Sequence, residues 1–389
     1  MRLIPQSIIQ DRWFKTLQRM KRGRIVFVAP NGEARTFGGH CDGPTAFFRI
    51  HEWSVLERAA ARGDIGLGED YIDGAWETPD IEALIAFFLA NIEELDGFAD
   101  GNFINRLLFR IRNGLVRRNS LSGSRRNIHA HYDMGNEFFA LWLDETMTYS
   151  SALFGGAACS LSEAQQRKYR RILSRLDPGK QSILEIGCGW GGFAEQAVQD
   201  EHRVTGLTIS PAQYAFASQR LGSNAEIQLE DYRHSRGKFD AVVSIEMVEA
   251  VGERYWPIYF HTLAERLKQG GRAIIQSIVI RDELFSAYRT RSDFVRHYVF
   301  PGGMLPSIAR LKQEAESAGL RFLNTFSFGQ DYASTLRIWN ARMREREGEI
   351  RGMGHDDGFI RTWQFYLGMC AAAFAVDRTS VAQLEFVRT

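Results

Sequence analysis

Two rhythms of apolar and polar residues run along the chain. Over residues 1 to about 100 the runs are short and mixed. Residues 24–30 (RIVFVAP) are β-rich, Asn31-Gly32 is a turn signal, and 34–39 (ARTFGG) follow as the return strand of a hairpin. Residues 47–64 (FFRIHEWSVLERAAARGD) and 80–95 (DIEALIAFFLANIEEL) carry apolar residues at helical spacing. From about residue 128 strands and helices alternate. The segment 182–192 (SILEIGCGWGG) is an apolar strand entering a glycine turn, FAEQAVQD continues as a helix, and 203–210 (RVTGLTIS) is a second strand. Pro211 opens the next helix, AEIQLEDY is a third strand and 239–251 (FDAVVSIEMVEAV) a fourth. HTLAERLKQGGRAIIQSIVI then gives helix, Gly-Gly turn and strand. Strands separated by helices of this length predict an α/β fold with a parallel sheet covered on both faces, preceded by a smaller mixed α+β domain.

Composition narrows the class. The chain has 389 residues, 44% hydrophobic and 24% charged, long enough for two domains and ordinary for a folded protein. No run approaches the roughly 20 apolar residues that cross a bilayer, and the first residues lack a secretory pattern. Cys41, Cys159, Cys188 and Cys370 are scattered, which speaks against a disulfide framework or a zinc site and for a reducing cytoplasm. His129, His131 and His297 are not spaced as metal ligands. Net charge is +1, so no global field draws the chain to nucleic acid. Locally, residues 103–132 contain no acid before Asp133 but include Arg106, Arg110, Arg112, Arg117, Arg118, Arg125 and Arg126 among apolar residues. Such a stretch suits an anionic membrane surface; the plainer reading is an inter-domain helix paired with carboxylates. Its Ser/Gly/Asn-rich tail predicts a linker over 116–130 between domains at 1–115 and 131–389.

The turn Glu185-Ile186-Gly187-Cys188-Gly189-Trp190-Gly191 lies between a predicted strand and helix. Its glycines admit a ligand close to the backbone. GxGxG spacing after an acid favours S-adenosyl-L-methionine over a dinucleotide: no pyrophosphate needs cradling, and the acid meets a cationic ligand. The second strand ends without the usual ribose-binding acid, leaving Thr208 and Gln213 as neutral partners for the hydroxyls.

The segment 131–154 (HYDMGNEFFALWLDETMTYSSALF), LEIGCGWGG, GLTIS with Gln213, 298–307 (YVFPGGMLPS) and 331–339 (DYASTLRIW) together resemble the cyclopropane-fatty-acid synthase and mycolic-acid methyltransferase family. The N-terminal part resembles the extra domain of its phospholipid-acting bacterial members. The resemblance implies a Rossmann-like class I methyltransferase domain using S-adenosyl-L-methionine. Tyr149, Ser150, Glu185, Gly187, Gly189, Gly191, Thr208, Gln213, Asp231, Tyr232 and Ile245 are its implied cofactor site, with His131 at the entrance. It further implies a bicarbonate held by Glu249, Ile278 and Tyr332 together with a Cys and a His, which here are Ser151 and Gln276. Glu246 precedes this motif and reads equally well as a surface or structural residue.

The implied reaction adds a one-carbon unit to the cis double bond of an unsaturated acyl chain of a membrane phospholipid, leaving a carbocation that aromatic faces stabilise. Tyr332, Tyr149, Phe154 and the 298–300 segment are the aromatic candidates. Deprotonation at the added methyl gives a cyclopropane, and at a chain carbon a methyl-branched or methylene alkene; both remain open. The sequence also admits a fold relative that binds membranes without catalysis, and a methyltransferase for small molecules. The family analogy implies a cytoplasmic homodimer, docked on the inner face of the membrane through N-terminal domains that bind lipid.

Overall fold

The computed structural model describes residues 6–95, 134–291 and 293–389. The basic stretch 103–132, the linker 116–130 and the candidates His129 and His131 lie outside the described residues. The chain divides into two compact units.

The first unit carries a four-stranded sheet of order β2-β1-β3-β4, formed by β1 (Arg22–Val28), β2 (Ala34–Gly38), β3 (Cys41–Ile50) and β4 (Trp76–Glu77). The expected hairpin is present: β1 pairs antiparallel with β2, Val28 facing Ala34, and Gly32 turns the chain with φ 83°. One expectation fails. Residues 47–50 complete β3 instead of opening a helix, because Phe48 and Ile50 are buried while Arg49 between them is exposed, a period of two. The helix begins only at Ser54. Trp13 of the first helix, Gln6–Arg19, meets the rings of Phe27, Phe48 and Phe88 edge-on and closes this core.

The unit boundaries differ from a single cut near residue 115. Residues 290–299 and 343–378 belong to the N-terminal unit. The cause is apolar packing. The long helix Asp357–Ala375 lies on the helices Ile81–Ala90 and Asp64–Ile72, and Phe294 meets Phe365 at 4.7 Å. No described helix is long and apolar enough to cross a membrane.

The second unit holds a seven-stranded sheet of order β10-β11-β9-β8-β5-β6-β7. Its strands are β5 (Ser182–Ile186), β6 (Arg203–Thr208), β7 (Ala225–Leu229), β8 (Phe239–Ile245), β9 (Leu267–Ile280), β10 (Leu320–Ser327) and β11 (Thr379–Arg388). Only β11 runs against the rest, pairing antiparallel with both β9 and β10. Alternate side chains of β5 feed two cores: Leu184 and Ile186 pack with Trp256, Tyr259 and Phe260, whereas Ile183 packs with Tyr169, Phe193 and Val243. The chain leaves β5 for β6 and β7 on one side and resumes at β8 on the other. That switch opens a crevice at the carboxyl ends of β5 and β8, where open α/β sheets bind ligands. The fourth predicted strand is shorter than expected: it stops at Ile245, and Val248–Val251 is a short helix.

The packing of the first unit makes Gly68 sensitive. A Cβ there would overlap the ring of Phe294 and lie 2.8 Å from Phe365 Cε1. Gly68→Ala is expected to cost about 1–3 kcal/mol, seen as a lower melting temperature; an unchanged melt would contradict this packing.

Candidate active site

The glycine turn follows directly from β5. The N–H groups of Gly187 and Cys188 both donate to the Leu207 carbonyl at 2.9 Å, tying the turn to β6. Gly187 (φ 81°) admits no side chain, since a Cβ would sit 2.9 Å from Met247 Cγ. Gly189 (φ 54°) borders open space, and Gly191 (φ 85°) is the left-handed residue that starts the helix Gly192–Gln199. Beneath the turn Glu185 is buried, with Oε2 unpartnered. Burial raises its pKa well above the ordinary value, opposed by Lys168 and by an Ala194 N–H. An orphaned buried carboxyl oxygen costs about 1–3 kcal/mol, and a cationic ligand would relieve that cost.

The other expected cofactor residues surround the same strand ends. Thr208 Oγ1 donates to Gln213 Oε1 at 2.8 Å, both residues being buried. Asp231 is engaged by Arg233 through Nε at 2.8 Å, Nη2 at 2.7 Å and the backbone N–H at 3.0 Å. Burial pushes the Asp231 pKa up, but the Arg233 bonds outweigh it and hold it low. Tyr232 meets Tyr259 edge-on, and Ile245 closes β8 opposite Gln276. Open space at the glycine turn, the orphaned acid and the neutral Thr–Gln pair fit S-adenosyl-L-methionine.

Tyr149 stands in an aromatic group with Phe139 (5.5 Å), Trp142 (5.4 Å), Trp339 (5.4 Å) and Phe300 (6.4 Å), and Trp339 also meets Tyr332. Tyr298, another aromatic candidate, is exposed and donates to Glu69 in the first unit. Phe154 offers its carbonyl to Arg167.

Three of the residues expected to hold bicarbonate, Ser151, Gln276 and Tyr332, converge on the side chain of Glu246. Glu246 Oε1 accepts from the Ser151 N–H at 2.8 Å and from Gln276 Nε2 at 2.8 Å, and the Tyr332 hydroxyl also bonds this carboxylate. The Ser151 hydroxyl turns away, donating to the Ala152 carbonyl at 3.0 Å. The Ile278 N–H donates to Glu249 Oε1. With these donors engaged by Glu246 and Glu249, bicarbonate does not fit this arrangement. Glu246 is no surface residue: it holds φ 49° at the end of β8, pinned by its N–H on the Gln276 carbonyl at 2.8 Å.

Sequence reasoning missed the residues behind this pair. Lys168, fully buried, donates to Ser150 Oγ at 2.6 Å, and burial lowers its pKa against the pull of Glu246, Asp144 and Glu185. Gln165 Nε2 donates to the Ser150 carbonyl at 2.9 Å. The signal was available: both fall on the buried stripe of the helix Leu161–Leu173, among Leu161, Ala164, Tyr169 and Ile172. On β11, Gln383 Nε2 donates to Gln276 Oε1 at 2.9 Å, and Gln383 Oε1 accepts from Arg171. This pairing fixes the Gln276 amide with its nitrogen toward Glu246.

The two carboxyls divide one charge unequally. Glu249 has its pKa raised to about 8, first by burial and then by the nearby Glu246 charge. Its Oε2 has no partner, as suits a protonated acid. Glu246 is also raised by burial, but Lys168, Gln276, the Ser151 N–H and Tyr332 oppose the shift. Each residue keeps some solvent-accessible surface, so enclosure by protein atoms, rather than a complete seal from water, sets these shifts. The negative charge therefore rests on Glu246 and the proton on Glu249.

Between its ordinary value of 4.5 and about 8, Glu249 keeps its proton when folded and loses it when unfolded. Its contribution to stability therefore falls as pH rises through that window. Lys168, lowered by burial, acts in the opposite sense at higher pH, so the useful comparison is between proteins. Glu249→Gln should gain in melting temperature relative to the wild type as pH rises from about 5 to about 8. A difference independent of pH would contradict the assignment.

Known proteins resemble the chain over most of its length. The family model described as mycolic acid cyclopropane synthetase matches residues 119–384. The tuberculostearic acid methyltransferase UfaA1 of Mycobacterium tuberculosis is 35% identical, over 87% of this chain and 82% of its own. The cyclopropane-fatty-acyl-phospholipid synthase of Escherichia coli K12 is 30% identical, over 98% of this chain and 95% of its own. The mycolic acid cyclopropane synthase CmaA1, solved with SAH and CTAB, is similar with a TM-score of 0.63 and 28% identity, over 68% of this chain and 98% of its own. With its parallel-rich sheet, its glycine turn and this match, the chain belongs to the cyclopropane and mycolic acid synthase family of S-adenosylmethionine-dependent methyltransferases.

Proposed function

We propose that the protein adds a one-carbon unit to the cis double bond of an unsaturated acyl chain in a membrane phospholipid, giving a cyclopropane. The observation that carries this reading is the pair of enclosed carboxyls, Glu246 and Glu249, in one unit with the aromatic group around Tyr149 and Trp339. An isolated alkene is a weak nucleophile, and its methylation leaves a carbocation. Aromatic faces stabilise a desolvated cation by about 2 kcal/mol or more, and a base is needed to remove the proton, a role a carboxylate can fill. Similarity to the Escherichia coli phospholipid synthase over nearly the whole of both chains supports a phospholipid substrate.

When bound, S-adenosylmethionine supplies the electrophilic methyl group. Tyr149, Ser150, Glu185, Thr208, Gln213, Asp231, Tyr232 and Ile245 would hold it around the turn of Gly187, Gly189 and Gly191. Lys168 and Gln165 fix Ser150, so the Tyr149-Ser150-Ser151 segment is held rigidly before the reaction. We assign the basic segment 103–132 to an anionic membrane surface on the cytoplasmic side, with the protein acting as a peripheral homodimer. A second reading, a methyl-branched or methylene product, is favoured by the 35% identity to a tuberculostearic acid methyltransferase.

The test is to incubate the protein with S-adenosylmethionine and vesicles of cis-monounsaturated phospholipid, then to analyse the acyl chains before and after mild hydrogenation. A gain of one CH₂ that resists hydrogenation is expected. A gain that takes up hydrogen would replace the cyclopropane by a methylated alkene, and no gain with cofactor bound would refute the substrate.

A further inference from the structure

Glu246 is the most completely supported carboxylate of the site. Its Oε1 receives the Ser151 N–H and the Gln276 amide, each at 2.8 Å, and its backbone N–H is fixed on the Gln276 carbonyl. The Gln276 amide is itself oriented by Gln383 at 2.9 Å, so the donor facing Glu246 cannot turn to present its oxygen without losing that bond. Glu246 adopts φ 49°, a left-handed conformation costing a non-glycine residue roughly 1–2 kcal/mol. That cost is sustained by the bonds made at its carboxylate; hydrogen bonds to a charged group contribute about 1.5–3 kcal/mol each.

A small free anion in this place would need the same donors. Ser151 has no hydroxyl to offer it, since that group is bonded to the Ala152 carbonyl, and the Ile278 N–H is occupied by Glu249. We infer that the carboxylate of Glu246 stands where the resemblance to the family implies a bicarbonate, and that it is the general base of the reaction.

This rests on the proposed one-carbon transfer. After that transfer, a C–H bond breaks, either on the added methyl or on a chain carbon next to the cationic carbon. Its electron pair closes the new C–C bond of a cyclopropane, or the C=C bond of a methylated alkene, and the proton passes to the Glu246 carboxylate. Glu246 becomes the neutral acid and returns the proton to water after product leaves. Glu249, protonated at the start, donates nothing in this step; its neutrality lets Glu246 stay the ionised carboxyl of the pair.

The left-handed φ of Glu246 makes glycine a well-tolerated replacement there. Three proteins would be compared: wild type, Glu246→Gln and Glu246→Gly. Each is checked for S-adenosylmethionine binding by calorimetry, so that a misfolded variant is recognised. Turnover is measured in buffer stripped of carbon dioxide and again with added bicarbonate, and ¹³C-bicarbonate binding is followed by NMR with no cofactor or lipid present. Wild-type turnover should be the same within about twofold in both buffers, while both variants lose on the order of 100-fold or more. Bicarbonate should bind to Glu246→Gly and partly restore its turnover, but should not bind to the wild type. Bicarbonate binding by the wild type, wild-type turnover that requires it, or Glu246→Gln keeping more than a tenth of wild-type turnover would overturn the inference. If no protein modifies the lipid in either buffer, the proposed function fails, and the NMR comparison still decides whether Glu246 fills the anion site.

Discussion

Everything in the candidate site is arranged around one enclosed negative charge. Glu246 receives hydrogen from the backbone of Ser151, the side chain of Gln276 and the hydroxyl of Tyr332, with the ammonium of Lys168 in its field. An isolated carboxylate would not stay ionised in such surroundings. Two of these donors are in turn fixed from behind: Gln276 by Gln383, which Arg171 holds, and the segment carrying Ser151 by Lys168 and Gln165 at Ser150. The second acid, Glu249, accommodates this charge by keeping its proton, with a pKa near 8. Two carboxyls with opposed protonation is a pattern that suits proton removal near neutral pH.

The fold supplies these groups from distant parts of the sequence. β8 ends beside β9, with Ile245 opposite Gln276, so Glu246 and the Gln276 amide meet through strand register. Antiparallel β11 places Gln383, 107 positions later in the chain, opposite Gln276. The glycine turn lies one strand away on β5, tied to β6 through the Leu207 carbonyl. Cofactor loop and base are thus held on neighbouring strands of one sheet.

Much of this was legible in the sequence, because it depended on local signals. Alternating strands and helices, the left-handed glycines and the Thr208–Gln213 pair follow from spacing and residue type. What escaped depended on partners far away in the chain. Glu246 was ambiguous between a surface and a structural residue because nothing nearby in sequence announces the amide of Gln276. Lys168 and Gln165 were visible as polar residues on an apolar stripe, yet their purpose appears only when Ser150 arrives against them. The later segments of the first unit were not foreseen for a similar reason: the helix Asp357–Ala375 is apolar enough for any core, and only packing on Ile81–Ala90 assigns it to the N-terminal unit. Residues 47–50 have apolar spacing compatible with a helix until the exposure of Arg49 reveals a strand.

The division of charge between Glu246 and Glu249 is open to direct observation by infrared difference spectroscopy at neutral pH. Subtracting the spectrum of Glu249→Gln from that of the wild type should leave the carbonyl stretch of a protonated carboxylic acid. Subtracting that of Glu246→Gln should leave the paired bands of a carboxylate. The reverse assignment, with the acid band lost in Glu246→Gln and the carboxylate bands lost in Glu249→Gln, would contradict the placement of the base on Glu246.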